Sequence, residues 1–132
     1  MPMYKFVKEY EFRASPRLLY PYISTASGMQ AWFCDKVVVD NINHRYNFVW
    51  DNTDHWAKLT IQKLNKHTKF DFVRHNDMQD DESSYIEFRL DHNDMTQSVY
   101  LKVIDNSAME DHEELEELWD GLVQSLKEQV GG

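Results

Sequence analysis

The chain of 132 residues holds one cysteine, three prolines and four glycines, and its 14 basic residues are outnumbered by 23 acidic ones. Each scarcity excludes something. A lone thiol, Cys34, rules out an intramolecular disulfide. There is no repeat, low-complexity segment or linker, so residues 1–132 read as one domain. The shortage of lysine and arginine, scattered singly, leaves a formal charge of -9 and a pI near 5.0. That balance argues against nucleic acid and anionic membrane as partners, since both select basic patches. No apolar run approaches the ~20 residues that a membrane span needs. Met1-Pro2-Met3-Tyr4 enters a strand-like pattern without a charged and apolar leader segment, which predicts a soluble cytoplasmic protein. Hydrophobic residues make up 42% of the chain and aromatics 14%, enough to argue for a packed core over disorder.

Two periodicities organise that apolar material. Leu115, Leu118, Trp119, Leu122, Val123, Leu126 and Val130 recur at steps of three and four, the signature of an amphipathic helix. Ser107 with Glu110 three residues on fits a capping box, so the spacing predicts a helix over 107–130, roughly 36 Å long at 1.5 Å per residue. Glutamates crowd its N-terminal half, where the helix dipole favours anions. Nearly everything earlier alternates with period two. Tyr4, Phe6, Tyr10 and Phe12 mark a first strand. Ser15-Pro16 then opens a short helix that Pro21 limits or kinks, Ser24 to Gly28 recaps it, and Met29 to Phe33 reads as a second short helix. About six strands follow: 36–40, 46–50, 56–64, 69–74, 86–90 and one carrying Val99, Leu101 and Val103. Asn76 to Ser83 is polar and aperiodic and reads as a loop, while Asp105-Asn106 reads as the lead into the long helix. Hairpin-length connections imply antiparallel neighbours. The prediction is an α+β fold: a curved antiparallel sheet of six to seven strands wrapped around one long C-terminal helix.

Local motifs sharpen this order. Glu11-Phe12-Arg13-Ala14-Ser15-Pro16, then Leu19-Tyr20, then Met29-Gln30-Ala31-Trp32-Phe33 resembles the entry of one branch of the START-like (SRPBCC, helix-grip) superfamily, the branch named for activating a heat-shock chaperone ATPase. Tyr46-Asn47-Phe48-Val49-Trp50 looks like its third strand, and Leu118-Trp119-Asp120-Gly121-Leu122 is similar to its closing helix. One departure is that Asn43-His44-Arg45 stands where many relatives carry a pair of glycines. The resemblance implies a helix-grip fold with a cavity between sheet and helix.

Residues expected to share that interior are Trp32 and Phe33 from the helical entry, and Tyr46, Phe48 and Trp50 from one strand. Leu59, Ile61, Phe70, Phe72, Phe88 and Leu101 come from the remaining strands, and Trp119 and Leu122 from the long helix. Together they are the candidate ligand-binding set, although any one of these aromatics taken singly reads first as close-packed core. His44, His55, His67, His75, His92 and His112 fall at turns or helix starts without ligand spacing, and read as surface histidines. Asp77, Asp80, Asp81 and Glu82 lack the alternation and glycine of a calcium loop. Asp71, Glu87 and Arg89 should face solvent, unless a one-residue register slip turns them inward for acid-base work. No metal, cofactor or catalytic residue is assigned.

The leading reading is non-enzymatic binding of a small hydrophobic or amphipathic molecule, lipid-like or an aromatic metabolite. A cyclase- or hydrolase-like enzyme using the same cavity is one alternative, with few inward polar groups beyond Tyr10, Tyr22 and Tyr46. A protein-interaction module such as a chaperone regulator is another. An exposed strand edge permits a homodimer.

Overall fold

The structure is a computed structural model that describes residues 3–73 and 84–132. The loop reading for 76–83 and the readings of His75, Asp77, Asp80, Asp81 and Glu82 lie outside the described residues. Strand β1 (Tyr4–Phe12) leads to helices α1 (Pro16–Ser24) and α2 (Ala26–Gln30). Six strands follow: β2 (Lys36–Asp40), β3 (Arg45–Trp50), β4 (Thr53–Lys63), β5 (His67–Phe72), β6 (Tyr85–Asn93) and β7 (Ser98–Ser107). Helix α3 (His112–Val130) closes the chain. All seven strands form one antiparallel sheet in the order β1-β7-β6-β5-β4-β3-β2. This is the α+β helix-grip arrangement that the element order predicts.

The helical entry is built from its own caps. Ser15 Oγ accepts from Leu18 N at 3.1 Å, and Pro16 occupies the first turn, where its missing N–H costs nothing. The freed end of α1 is then shared with α2. Pro21 O accepts both Thr25 N (3.0 Å) and Thr25 Oγ1 (2.8 Å), while the same Oγ1 accepts from Gly28 N at 3.0 Å. A Cβ on Gly28 would sit 2.1 Å from Pro21 O, so only glycine lets α2 turn this tightly against α1. The second helix therefore starts at Ala26, earlier than the 29–33 expected, and Trp32-Phe33 lie in the turn after it.

The long helix is also shorter than the capping-box pattern predicts. Ser107 ends β7, and the N-cap is Asp111, whose side chain accepts from Glu113 N and Glu114 N, both at 3.1 Å. Nineteen residues remain, roughly 28 Å at 1.5 Å per residue. Gly131 closes the helix in the left-handed conformation (φ 82), and Gly132 O accepts from Arg13 N at the end of β1. Leu115, Trp119, Val123 and Leu126 are the fully buried stripe, which faces the sheet. Leu118 is half exposed.

Strand pairing fixes the faces. Phe6, Tyr10 and Phe12 stand level with Asp105, Leu101 and Val99, and these with Ile86, Leu90 and His92. The inner face continues through Thr68, Phe70 and Phe72 to Leu59 and Ala57, and on to Tyr46 and Phe48. A bulge between Leu59 and Ile61 breaks the alternation in β4. Beyond it Ile61 pairs with Lys69 on the outer face, so Ile61 does not share the interior. Outside, Asp71, Glu87 and Arg89 occupy the face opposite the aromatics, as the unslipped register requires. Glu87 is nonetheless buried there, because His67 Nε2 (2.6 Å) and Arg89 Nε (2.7 Å) close over its carboxylate. His67 is accordingly no free surface histidine.

Candidate functional site

The inner face carries an aromatic mass that pins helices to sheet. Phe33 stacks on Trp119 (ring centroids 5.7 Å, 25°) and meets Phe48, Trp50 and Phe88 edge-on. Indoles and a phenol satisfy the carbonyls left over where the short helices end. Trp32 Nε1 donates to Tyr22 O (2.7 Å), Trp50 Nε1 to Phe33 O (2.7 Å) and Tyr46 Oη to Ser24 O (3.1 Å). Thr68 Oγ1 likewise donates to Ile23 O at 2.8 Å. Trp32, Tyr46 and Trp50 are thereby fixed in place.

Beside the N-terminal half of α3, this mass gives way to a cleft of about 860 Å³. Leu115, Leu118, Trp119 and Leu122 form its helical wall, and Phe33, Trp50 and Phe72 its base and far side. Arg45, Asp54 and Trp56, which alternate toward the outer face of the β3–β4 hairpin, reach its rim. Of the predicted set, Phe33, Trp50, Phe72, Trp119 and Leu122 line the cleft. Trp32, Phe48, Phe70, Phe88 and Leu101 are buried core, and Tyr46 and Leu59 pack against that core. Ile61 stands on the other side of the sheet.

Asp105 was missed by sequence reasoning. Read as a linker residue, it is an inward member of β7, level with Phe6 and Ile86, and it lines the cleft at 7% exposure. Its Oδ2 accepts from Trp119 Nε1 at 2.9 Å. Burial pushes the carboxyl above its ordinary value, against the opposing influence of hydrogen bonds from Trp119 and Ser107. Among the described residues, no lysine, arginine or histidine forms an ion pair with it. A signal was available: Val99, Leu101 and Val103 set a period of two whose next member is Asp105.

Of the other polar groups at the cleft, Arg45 Nε is buried without a hydrogen-bond partner among the described residues. His55 borders the cleft with its ring edge-on to Trp50 (5.1 Å). Cys34 does not line the cleft; burial pushes its thiol up to about 11, far from thiolate chemistry at neutral pH. Among the described residues, no three histidine, cysteine, aspartate or glutamate side chains converge as a metal site. Nor is any helix among them long and apolar enough to cross a membrane.

Comparison with known proteins supplies the context. A family model described as a START-like superfamily domain matches residues 2–132. Among curated proteins, none matches the sequence. Solved structures with the same fold include the Aha1 dimer from Colwellia psychrerythraea, at 15% identity and TM-score 0.75 over 96% of each chain. Protein MLL2253 from Mesorhizobium loti is similar at 17% identity and TM-score 0.72, over 95% of each chain. CalU16 from Micromonospora echinospora is similar at 13% identity and TM-score 0.68, covering 96% of this chain and 75% of that one.

Proposed function

Because the chain belongs to the START-like superfamily, we propose that it binds a small amphipathic molecule, without catalysis, in the cleft between α3 and the sheet. The observation that carries this reading is the cleft itself. Its volume of about 860 Å³ falls within the roughly 300–1,000 Å³ of small-molecule sites. Its walls join aromatic and aliphatic side chains to polar ones such as Asp105, His55 and Arg45, the combination that such sites use for apolar contact and orientation. The ligand-contacting side chains in this reading are Phe33, Trp50, Phe72, Trp119 and Leu122, and the buried aromatics behind them hold these in place. An enzymatic reading would need a histidine or a second carboxyl to exchange protons with Asp105. Among the described residues, its hydrogen-bond partners are Trp119 and Ser107.

A second reading, a protein-interaction module that self-associates, is favoured by one observation: the similar Colwellia psychrerythraea protein is described as a dimer. Native mass spectrometry of gently purified protein separates the two. A co-purifying small molecule at one per chain supports the cleft reading; an empty dimer at micromolar concentration supports the other. In the cleft reading Trp50→Asp and Phe72→Asp abolish uptake, with folding checked by circular dichroism, whereas Glu116→Lys on the wet face of α3 leaves it intact. Equal losses from all three variants would refute it.

A further inference from the structure

The cleft is not uniformly greasy. Arg45 and Asp54 alternate toward the outer face of the β3–β4 hairpin, where Arg45 Nε is buried without a hydrogen-bond partner among the described residues. His55 faces inward beside Trp50, and Asp51 lies in the β3–β4 turn. Asp105, on the inner face of β7, is buried at 7% exposure and is held by Trp119 Nε1–H at 2.9 Å. A buried carboxylate is costly unless something neutralises it, and none of the described residues forms an ion pair with Asp105. The indole donates one hydrogen bond and no charge. The surrounding walls, Phe33, Trp50, Phe72 and Trp119, offer ring faces, which attract cations as well as apolar bodies.

We infer that the cleft selects a cationic amphiphile, an aromatic or aliphatic body bearing a protonated amine, with Asp105 as the counter-ion and Trp119 holding that carboxylate in place. This rests on the cleft-binding reading and narrows it to one chemical class. The acidic chain as a whole, at a formal charge of -9, favours the approach of the same ligands.

Three probes with one ring system separate the possibilities: tryptamine, neutral 3-ethylindole and anionic indole-3-propionate, titrated into the full chain and followed by two-dimensional NMR. The Trp119 indole N–H resonance reports directly on the Asp105 contact. Tryptamine is expected to bind about tenfold or more tighter than 3-ethylindole, the worth of one charge-assisted contact, with indole-3-propionate weakest. Asp105→Asn, which keeps an acceptor for the indole, should erase the difference between tryptamine and 3-ethylindole without weakening 3-ethylindole. Equal wild-type affinity for tryptamine and 3-ethylindole overturns the cationic-ligand inference and leaves cleft binding standing. Shifts confined to residues outside the cleft for all three probes overturn both. The wild-type series decides the matter even if Asp105→Asn folds poorly.

Discussion

At the scale of single residues, two carboxylates share a sheet and behave in opposite ways. Glu87 is buried on the outer face. Burial works to raise its pKa, but the hydrogen bonds from Arg89 and His67 outweigh burial and hold the carboxyl below its ordinary value. A depressed acid stabilises the fold above the unfolded value, near 4.5, and that contribution is lost as pH falls through the folded one. Thermal stability should therefore fall as pH drops below about 4.5, and Glu87→Gln should flatten that part of the pH profile while lowering stability at pH 7. Asp105 has the reverse sign. Its raised pKa means that the ionised form costs stability at neutral pH, a cost relieved as pH falls toward the folded value. Asp105→Asn is thus expected to raise the melting temperature at pH 7, and a fall would count against a destabilising carboxylate. Trp119→Phe should instead lower stability by about 1–3 kcal/mol, because it strips a buried acceptor of its donor.

At the scale of elements, the helical entry and the closing helix depend on contacts of opposite kinds. The α1–α2 corner requires a missing side chain: Gly28 has Pro21 O where its Cβ would stand. Backbone cannot step aside as a side chain can, so Gly28→Ala should cost about 1–3 kcal/mol in urea unfolding, as overpacking does. The start of α3 requires a side chain that is present. Asp111→Ala removes an acceptor for two orphan amides and should cost about 1 kcal/mol in the same measurement. Between these elements, the turn at His44 takes a left-handed conformation (φ 53), which side-chain-bearing residues adopt uncommonly.

At the scale of the whole molecule, polar contacts fasten the middle and the end of the closing helix to β1. Lys8 Nζ and Tyr10 Oη both reach Asp120 Oδ1 at 2.8 Å, fastening β1 to the middle of α3, and Arg13 N holds the chain's last carbonyl. The N-terminal half of the helix is left to overhang the cleft. Filling that space should separate architecture from role. Leu122→Trp adds bulk to the helical wall and is expected to reduce probe affinity at least about tenfold while leaving the melting temperature unchanged or higher, as cavity filling commonly does. Retained affinity in a folded Leu122→Trp protein would move the binding site elsewhere.

What the sequence by itself determined is the alternation of apolar side chains, and that is a local property. A period of two or 3.6 states which residues share a face, so the strand count, the antiparallel order and the buried stripe of α3 were legible from single stretches. What covers a face is decided elsewhere in the chain. The bulge that turns Ile61 outward depends on pairing with β5. The burial of Glu87 depends on His67, twenty residues away. The inward place of Asp105 depends on β7 running on to Ser107 before α3 begins. The division of the aromatics into filled core and cleft wall has the same origin: a void is bounded by several elements at once, and no segment read alone contains it.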